Sequence, residues 1–506
     1  MTAMKKTTSN SIKRNLTMTL SLMMTATMLA SCGSGYDGSE SRKSGSYNNE
    51  RTTAENYRYS NVTAGDTDGT ANIGGGYNTE EYNHLTENGY KLVSDEPLST
   101  FSTDVDTASY TNVRRMINDG WEVDPDAVRT EEFINYFKYD YEKPTEGAVS
   151  INTELSDCPW NSEAKLMLVG LQAREAKVKD VPTNLVFLID VSGSMEDEDK
   201  LPLVQQAFSM LAENLGADDR VSIVTYAGSD SVVLEGESGD NSEEIVSALN
   251  SLSAGGITTA YKLAEEYFIE GGNNRVILAT DGDLNVGLSS EEELTDLISQ
   301  KRDSGVYLSV LGFGSGNYKD NRLEALADNG NGNYAYIDSV DEAKRVLVTE
   351  MSGTLFTVAK DAKVQIEFNP ENVSAYRLVG YENRLLNDED FEDDTKDAGD
   401  IGSGQQVTVL YEIVPNNGNE KSLKYQDNES KAETNELSGE MLTVSVRYKD
   451  PEASESKLID KSVMCSDYTE AVSQNFAKAC SAAEFAMVLR NSDYASGLTA
   501  QGVVDY

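Results

Sequence analysis

The stretch Asn184-Leu-Val-Phe-Leu-Ile-Asp-Val-Ser-Gly-Ser-Met195 decides the fold. From Leu185 to Ile189 every side chain is apolar, with no alternation. Such a run reads as a strand buried on both faces, as in a parallel sheet covered by helices. It ends abruptly in Asp190-Val-Ser192-Gly-Ser194. Gly193 permits a tight turn, so one carboxylate and two hydroxyls spaced by two can converge. Carboxylate, hydroxyl and water oxygens suit a hard cation, Mg2+, Mn2+ or Ca2+, and do not suit zinc. A second run, Arg275-Val-Ile-Leu-Ala-Thr280, ends in Asp281, which can complete such a site. Asp190 and the serines would also serve as caps of a following helix. The acid at a second strand end favours the ion.

Residues 183 to 353 repeat this alternation of strand and helix. Strands are expected at Leu185–Asp190, Arg220–Tyr226, Ser231–Leu234, Arg275–Thr280, Val306–Phe313 and Tyr334–Ile337. Amphipathic helical patterns lie at Leu201–Leu215, Glu243–Leu252, Ala260–Phe268, Glu291–Arg302, Arg322–Ala327 and Asp341–Met351. The order predicts a doubly wound, mainly parallel α/β sheet with helices on both faces. The short Val224 to Val233 connection predicts a hairpin, hence one antiparallel edge strand. Ligands of such sheets gather beyond the carboxyl ends of the strands.

The flanks differ. Residues 92–180 read as a small accessory α+β domain, with helices at Thr107–Asn118 and Ala127–Lys138 and strands at Ser150–Leu155 and Lys165–Leu171. Asp104 and Asp106 are open to a metal-ligand reading, but acids placed at a helix N-terminus explain them more simply. After Gly353 the period changes to two: Val364/Ile366/Phe368, Val407/Val409/Tyr411/Ile413 and Leu442/Val444/Val446/Tyr448 predict antiparallel strands, followed by a helix over Glu470–Asn491. This third domain, 354–506, is β-rich and helical, and its end at Tyr506 suggests that it is incomplete. The acidic run from Asp388 to Asp400 lacks the Gly and Glu spacing of an EF-hand loop and reads as a solvated, mobile connection.

Lys5, Lys6, Lys13 and Arg14 precede an apolar run, Leu16 to Leu29, that closes in Leu29-Ala-Ser-Cys32. A basic start and a short apolar core predict a secretory signal over residues 1–31, too short to span a bilayer. The ending resembles a bacterial lipobox, which implies lipidation of Cys32 and a membrane anchor. Gly33 after the Cys implies sorting to an outer membrane; the face is open. Residues 32–91 are rich in Gly, Ser, Asn, Thr and Tyr and predict a tether, about 40 Å long as a coil. Gly33-Ser-Gly-Tyr-Asp-Gly38 matches a dinucleotide fingerprint but lacks the flanking strand and helix. Cys158, Cys465 and Cys480 would remain in the mature chain, with Cys480 on an apolar helical stripe. An odd count leaves at least one thiol unpaired within the chain.

The 506 residues carry a formal charge of −44, with 42 Lys and Arg against 86 Asp and Glu. Such a chain repels polyanions, so nucleic-acid binding is excluded. His84 is the only imidazole and lies in a polar stretch, which argues against histidine-dependent catalysis.

Asp190, Ser192, Ser194 and Asp281 match the metal-ion-dependent adhesion site of von Willebrand factor type A (VWA) domains. Phe101–Tyr110, Asn184–Met195, Arg275–Asp283, Leu326–Tyr334 and Tyr376–Arg384 resemble more closely the YfbK-like bacterial VWA proteins. The resemblance implies an accessory domain, a VWA domain and a C-terminal domain of unassigned role. It also implies a threonine ligand from a longer Gly-Gly-Ser-Thr-type loop, whereas this chain reads Ala254-Gly-Gly-Ile-Thr258-Thr259-Ala260. Thr258 either takes that position or caps the helix.

The expected function is non-catalytic binding of a protein partner that supplies an Asp or Glu to the ion. A structural envelope lipoprotein with a degenerate site, or a metal-assisted hydrolase, are the alternatives. The hydrolase would need a positioned base, and no nucleophile–base pair is visible.

Overall fold

A computed structural model describes residues 79–506, apart from 104–105, 176–180, 228–229, 253–256, 283–290, 317, 351–352, 354–355, 417–438, 452, 500–502 and 504–506. The expected signal peptide, Cys32, nearly all of the expected tether and the last residues lie outside the described residues. Among the described residues no helix is long and apolar enough to cross a membrane.

The central layer is a six-stranded sheet of β5 (Thr183–Asp190), β6 (Arg220–Tyr226), β7 (Asp230–Ser238), β8 (Asn273–Thr280), β9 (Val306–Phe313) and β10 (Tyr334–Ile337), in the order β10-β9-β8-β5-β6-β7. All neighbours are parallel except β6 and β7, so the expected antiparallel strand stands at the edge. Successive β5 side chains point to opposite faces. Leu185, Phe187 and Ile189 pack under α3 (Leu201–Ala212), α4 (Ser242–Leu249) and α8 (Val340–Lys344). Val186 and Leu188 pack under α5 (Ile257–Glu266), α6 (Glu291–Asp303) and α7 (Asp320–Asn329). Both faces are covered, which explains the uninterrupted apolar run.

The flanks fold together, which corrects the reading of 92–180 and 354–506 as separate domains. One antiparallel sheet combines β1 (Lys91–Leu92), β3 (Val149–Asp157) and β4 (Lys165–Ala173) with β12 (Val373–Val379) and β14 (Gln406–Pro415), in the order β1-β12-β14-β4-β3. Val169 of β4 faces Val409 of β14. A second sheet runs β13 (Gly399–Gly402), β11 (Thr357–Phe368), β15 (Glu440–Lys449), β16 (Ser456–Met464), with β2 (Leu98–Ser102) also paired to β11. Val169, Leu171, Val409, Tyr411, Val364, Ile366, Val444 and Val446 share the core between the sheets. A lone pair such as β3 and β4 is marginal in water, so the two segments complete one sandwich. The α/β domain is inserted between its halves.

Helices α2 (Thr130–Tyr136) and α9 (Gln474–Arg490) cover the outer face of the first sheet. Ile134, Phe476, Ala479, Cys480 and Ala483 pack there with Leu166, Leu168, Val379 and Leu410. Ser473 caps α9 by accepting from Phe476 N at 3.1 Å. The helix expected over Ala127–Lys138 divides into a 3-10 turn, Pro125–Ala127, and α2.

Three further expectations change. The tether cannot extend to residue 91: Thr79 N donates to Gly316 O at 2.9 Å, and Glu80 accepts from Gly316 N at 2.9 Å and pairs with Arg115 at 3.0 Å. Backbone and ion-pair bonds hold this segment with little apolar side chain, so hydropathy does not reveal it. Asp106, open earlier to metal ligation, instead accepts from Tyr334 N at 2.9 Å and Arg384 Nη2 at 3.1 Å. The acidic run is anchored and not a free loop. Asp388 accepts from Thr100, Asp394 from Arg447 and Ser456, and Asp397 from Arg302.

Candidate metal centre

Because β5 and β8 are parallel neighbours with Ile189 opposite Ala279, Asp190 and Asp281 emerge side by side from one edge of the sheet. Both are almost fully buried, at 0% and 2% exposure. Asp190 Oδ1 accepts from Ser192 N at 2.9 Å, and Oδ2 accepts from Thr280 Oγ1 at 3.1 Å. These bonds fix the carboxylate against the start of the following turn. That turn, Gly193–Glu196, is 3-10 and does not place Gly193 at a positive φ, so its tightness does not depend on glycine backbone freedom. It brings Ser192 Oγ and Ser194 Oγ to 2.9 Å from each other. Four of the five expected ligands therefore cluster at the carboxyl ends of two adjacent strands.

Thr258 lies in the first turn of α5 and is exposed. The helix seats Ile257 and Ala260 on the sheet, which commits Thr258 to the rim. Gly255, Gly256 and Asp283 lie outside the described residues.

Burial pushes the Asp190 carboxyl above its usual range, and the nearby Asp281 charge adds to that. A cation relieves both effects. The Tyr226 hydroxyl, opposite Asp190 in the β5–β6 register, is buried without a hydrogen-bond partner. Among the described residues no group of three or more His, Cys, Asp or Glu could hold a metal. The donor set is two carboxylates with hydroxyls, which fits a hard ion and no soft one.

One participant has no counterpart in the sequence reading. Lys200, directly before α3, sends its ammonium to Asp281 Oδ2 at 3.0 Å and to Ser194 O at 2.9 Å. It is 5% exposed. A lysine ahead of an apolar helix carries no distinctive pattern, so only the folded geometry shows it.

This sheet, with an Asp-x-Ser-x-Ser turn at one strand end and an Asp at the next, defines a VWA-domain protein. A family model described as von Willebrand factor type A domain matches residues 184–348. Models described as von Willebrand factor and as Uncharacterized protein YfbK, C-terminal, match residues 76–168 and 353–506. Escherichia coli (strain K12) YfbK is 40% identical over 444 residues, covering 84% of this chain and 76% of that one. The chain belongs to the YfbK-like family. The protein sll0103 of Synechocystis is 30% identical over 219 residues, 42% of this chain and 50% of that one. Among solved structures, the von Willebrand factor type A protein of Catenulispora acidiphila matches with a TM-score of 0.40 and 15% identity, covering 70% of this chain and 82% of that one.

Proposed function

We propose that this chain is a lipid-anchored envelope protein whose VWA domain binds a protein partner through a divalent ion, without catalysis. The observation that carries the reading is the convergence of Asp190, Ser192, Ser194 and Asp281 at adjacent strand ends. These residues would hold Mg2+, or Mn2+ or Ca2+, with Thr258 as the added rim ligand. The ion, when bound, supplies an electrophilic centre that a partner's Asp or Glu completes. Ser192 and Ser194 contribute neutral oxygens and Lys200 already balances part of the Asp281 charge, so the occupied site retains positive charge for that acid. Both carboxylates are already engaged by Ser192, Thr280 and Lys200, which argues against either serving as a general base. Cys32 would anchor the chain in the outer membrane, and residues up to 78 would tether the folded part above it.

The test uses the full chain, immobilised and exposed to envelope extract with Mg2+ or with EDTA. Capture that needs Mg2+ and disappears in a folded Asp190→Ala variant is expected. Undiminished capture by that variant overturns a metal-bridged contact. Cys32→Ser should abolish fatty-acid labelling; retained labelling overturns the anchor. A structural role with a disabled site is the second reading, and the Lys200–Asp281 pair is the observation that favours it.

A further inference from the structure

The ion reading leaves one charge unexplained: a buried ammonium already stands in the site. Lys200 Nζ lies 3.0 Å from Asp281 Oδ2 and 2.9 Å from Ser194 O, with Asp197 Oδ2 at 4.0 Å. Two of its three N–H groups thus point at oxygens of the two turns that form the centre. The position is built and not incidental. The lysine stem lies across Gly314, which takes a φ of +75°, and a Cβ there would come within 2.3 Å of Lys200 Cε. The Gly314 carbonyl is held in turn by the Tyr336 hydroxyl at 2.5 Å. Any larger residue at 314 would block the channel along which the stem reaches Asp281. At 5% exposure the ammonium does not reach a partner across the surface. Its charge is spent on Asp281.

We propose that Lys200 is a built-in cation that competes with the divalent ion for Asp281, and so sets the affinity and selectivity of the site. This rests on the ion reading above and goes beyond it. With Lys200 in place the two carboxylates are half neutralised, and an arriving ion meets a fixed positive charge in a site of low dielectric. Full coordination requires the ammonium to leave Asp281 or to share it. Metal-free, the lysine prevents two adjacent buried carboxylates from facing each other uncompensated. The fold is therefore stable without an ion, and ion binding becomes conditional on concentration or on a partner that adds its own ligand.

The experiment follows Mn2+ binding to the full chain by the free-ion electron paramagnetic resonance signal, alongside thermal melts with and without Mn2+. Lys200→Met keeps the stem and removes the charge, and Lys200→Gln keeps a polar head. Both should tighten Mn2+ by about tenfold or more, equal to about 1.4 kcal/mol. Both should also melt lower than wild type in EDTA and gain more from Mn2+. Lys200→Arg should bind no more tightly than wild type. Ser192→Ala in the Lys200→Met background should abolish the gain, which places the ion at this site. Unchanged or weaker Mn2+ binding in Lys200→Met and Lys200→Gln, with binding still lost in Ser192→Ala, overturns the competition and leaves the ion site standing. No Mn2+ binding in wild type or in either lysine variant overturns both readings.

Discussion

Arg129 Nη1 lies 2.6 Å from Asp320 Oδ2, with both side chains almost inaccessible to solvent. The arginine stands just before α2 in the sandwich half, and the aspartate opens α7 of the inserted domain. Glu132 also engages the guanidinium, and the Tyr334 hydroxyl donates to Asp320 at 2.7 Å. Nearby, Arg384 reaches Glu324 and Asp328 of α7 across the same junction and pairs with Asp106 on its own side. The two parts are thus joined by buried charge as well as by apolar packing.

Removing one member of such a pair leaves the other buried and uncompensated. Arg129→Met should therefore lower unfolding stability by about 3–5 kcal/mol. Urea unfolding measures it, and Arg129→Met/Asp320→Asn should recover part of the loss. Additive losses would mean that the pair is not coupled.

Thr258 and Ser192 should differ as ligands. Ser192 sits in the turn beside Asp190, whereas Thr258 is on an exposed helical rim. Mg2+ keeps several waters readily, so a missing rim oxygen is replaceable. Ser192→Ala should abolish measurable Mn2+ binding, and Thr258→Ala should weaken it only a few-fold. Equal losses would make Thr258 a full ligand.

Asp400 predicts a pH dependence. Its Oδ1 accepts from Asp361 N at 3.2 Å, while Oδ2 is buried without a partner. Burial, reinforced by Asp361 and Asp397, pushes this carboxyl up to about 7. The protonated form fits the native state, so the stability it brings is complete below the unfolded value of about 3.9 and is lost as pH rises through 7. Asp400→Asn keeps the Oδ1 acceptor and removes the titration. Its urea midpoint should exceed wild type at about pH 8 and change less between about pH 5 and 8. A wild-type slope in the variant would assign the effect elsewhere.

Phe476 tests the union of the two flanks. It is fully buried, in a cluster with Leu166 and Leu168 of β4. Phe476→Ala should cost about 3–5 kcal/mol by opening a cavity under α9. Leu168→Ala should couple to it in a double-mutant cycle by at least about 0.5 kcal/mol. Strict additivity would argue against a shared core.

Much of the centre was legible because its signals are local. An unbroken apolar run, an abrupt Asp-x-Ser-x-Ser and a second acid after a second run need no knowledge of distant residues. Thr258 was ambiguous because ligand and helix cap use the same side chain at the same helix start. The acidic run misled because its acids are satisfied by Thr100, Arg447 and Arg302, which are remote in sequence. Thr79–Tyr82 was missed because polar groups hold it.

The sequence alone determined the α/β layer and the strand-end position of Asp190 and Asp281, since the period of apolar residues dictates which faces are buried and where each strand stops. Only the tertiary structure decided that β4 pairs with β14, making one sandwich of two distant segments, and that Lys200 reaches Asp281. Strand partnership depends on free edges and register, and the direction of a long flexible side chain depends on the channel packed around it. Neither is written in the local pattern of residues.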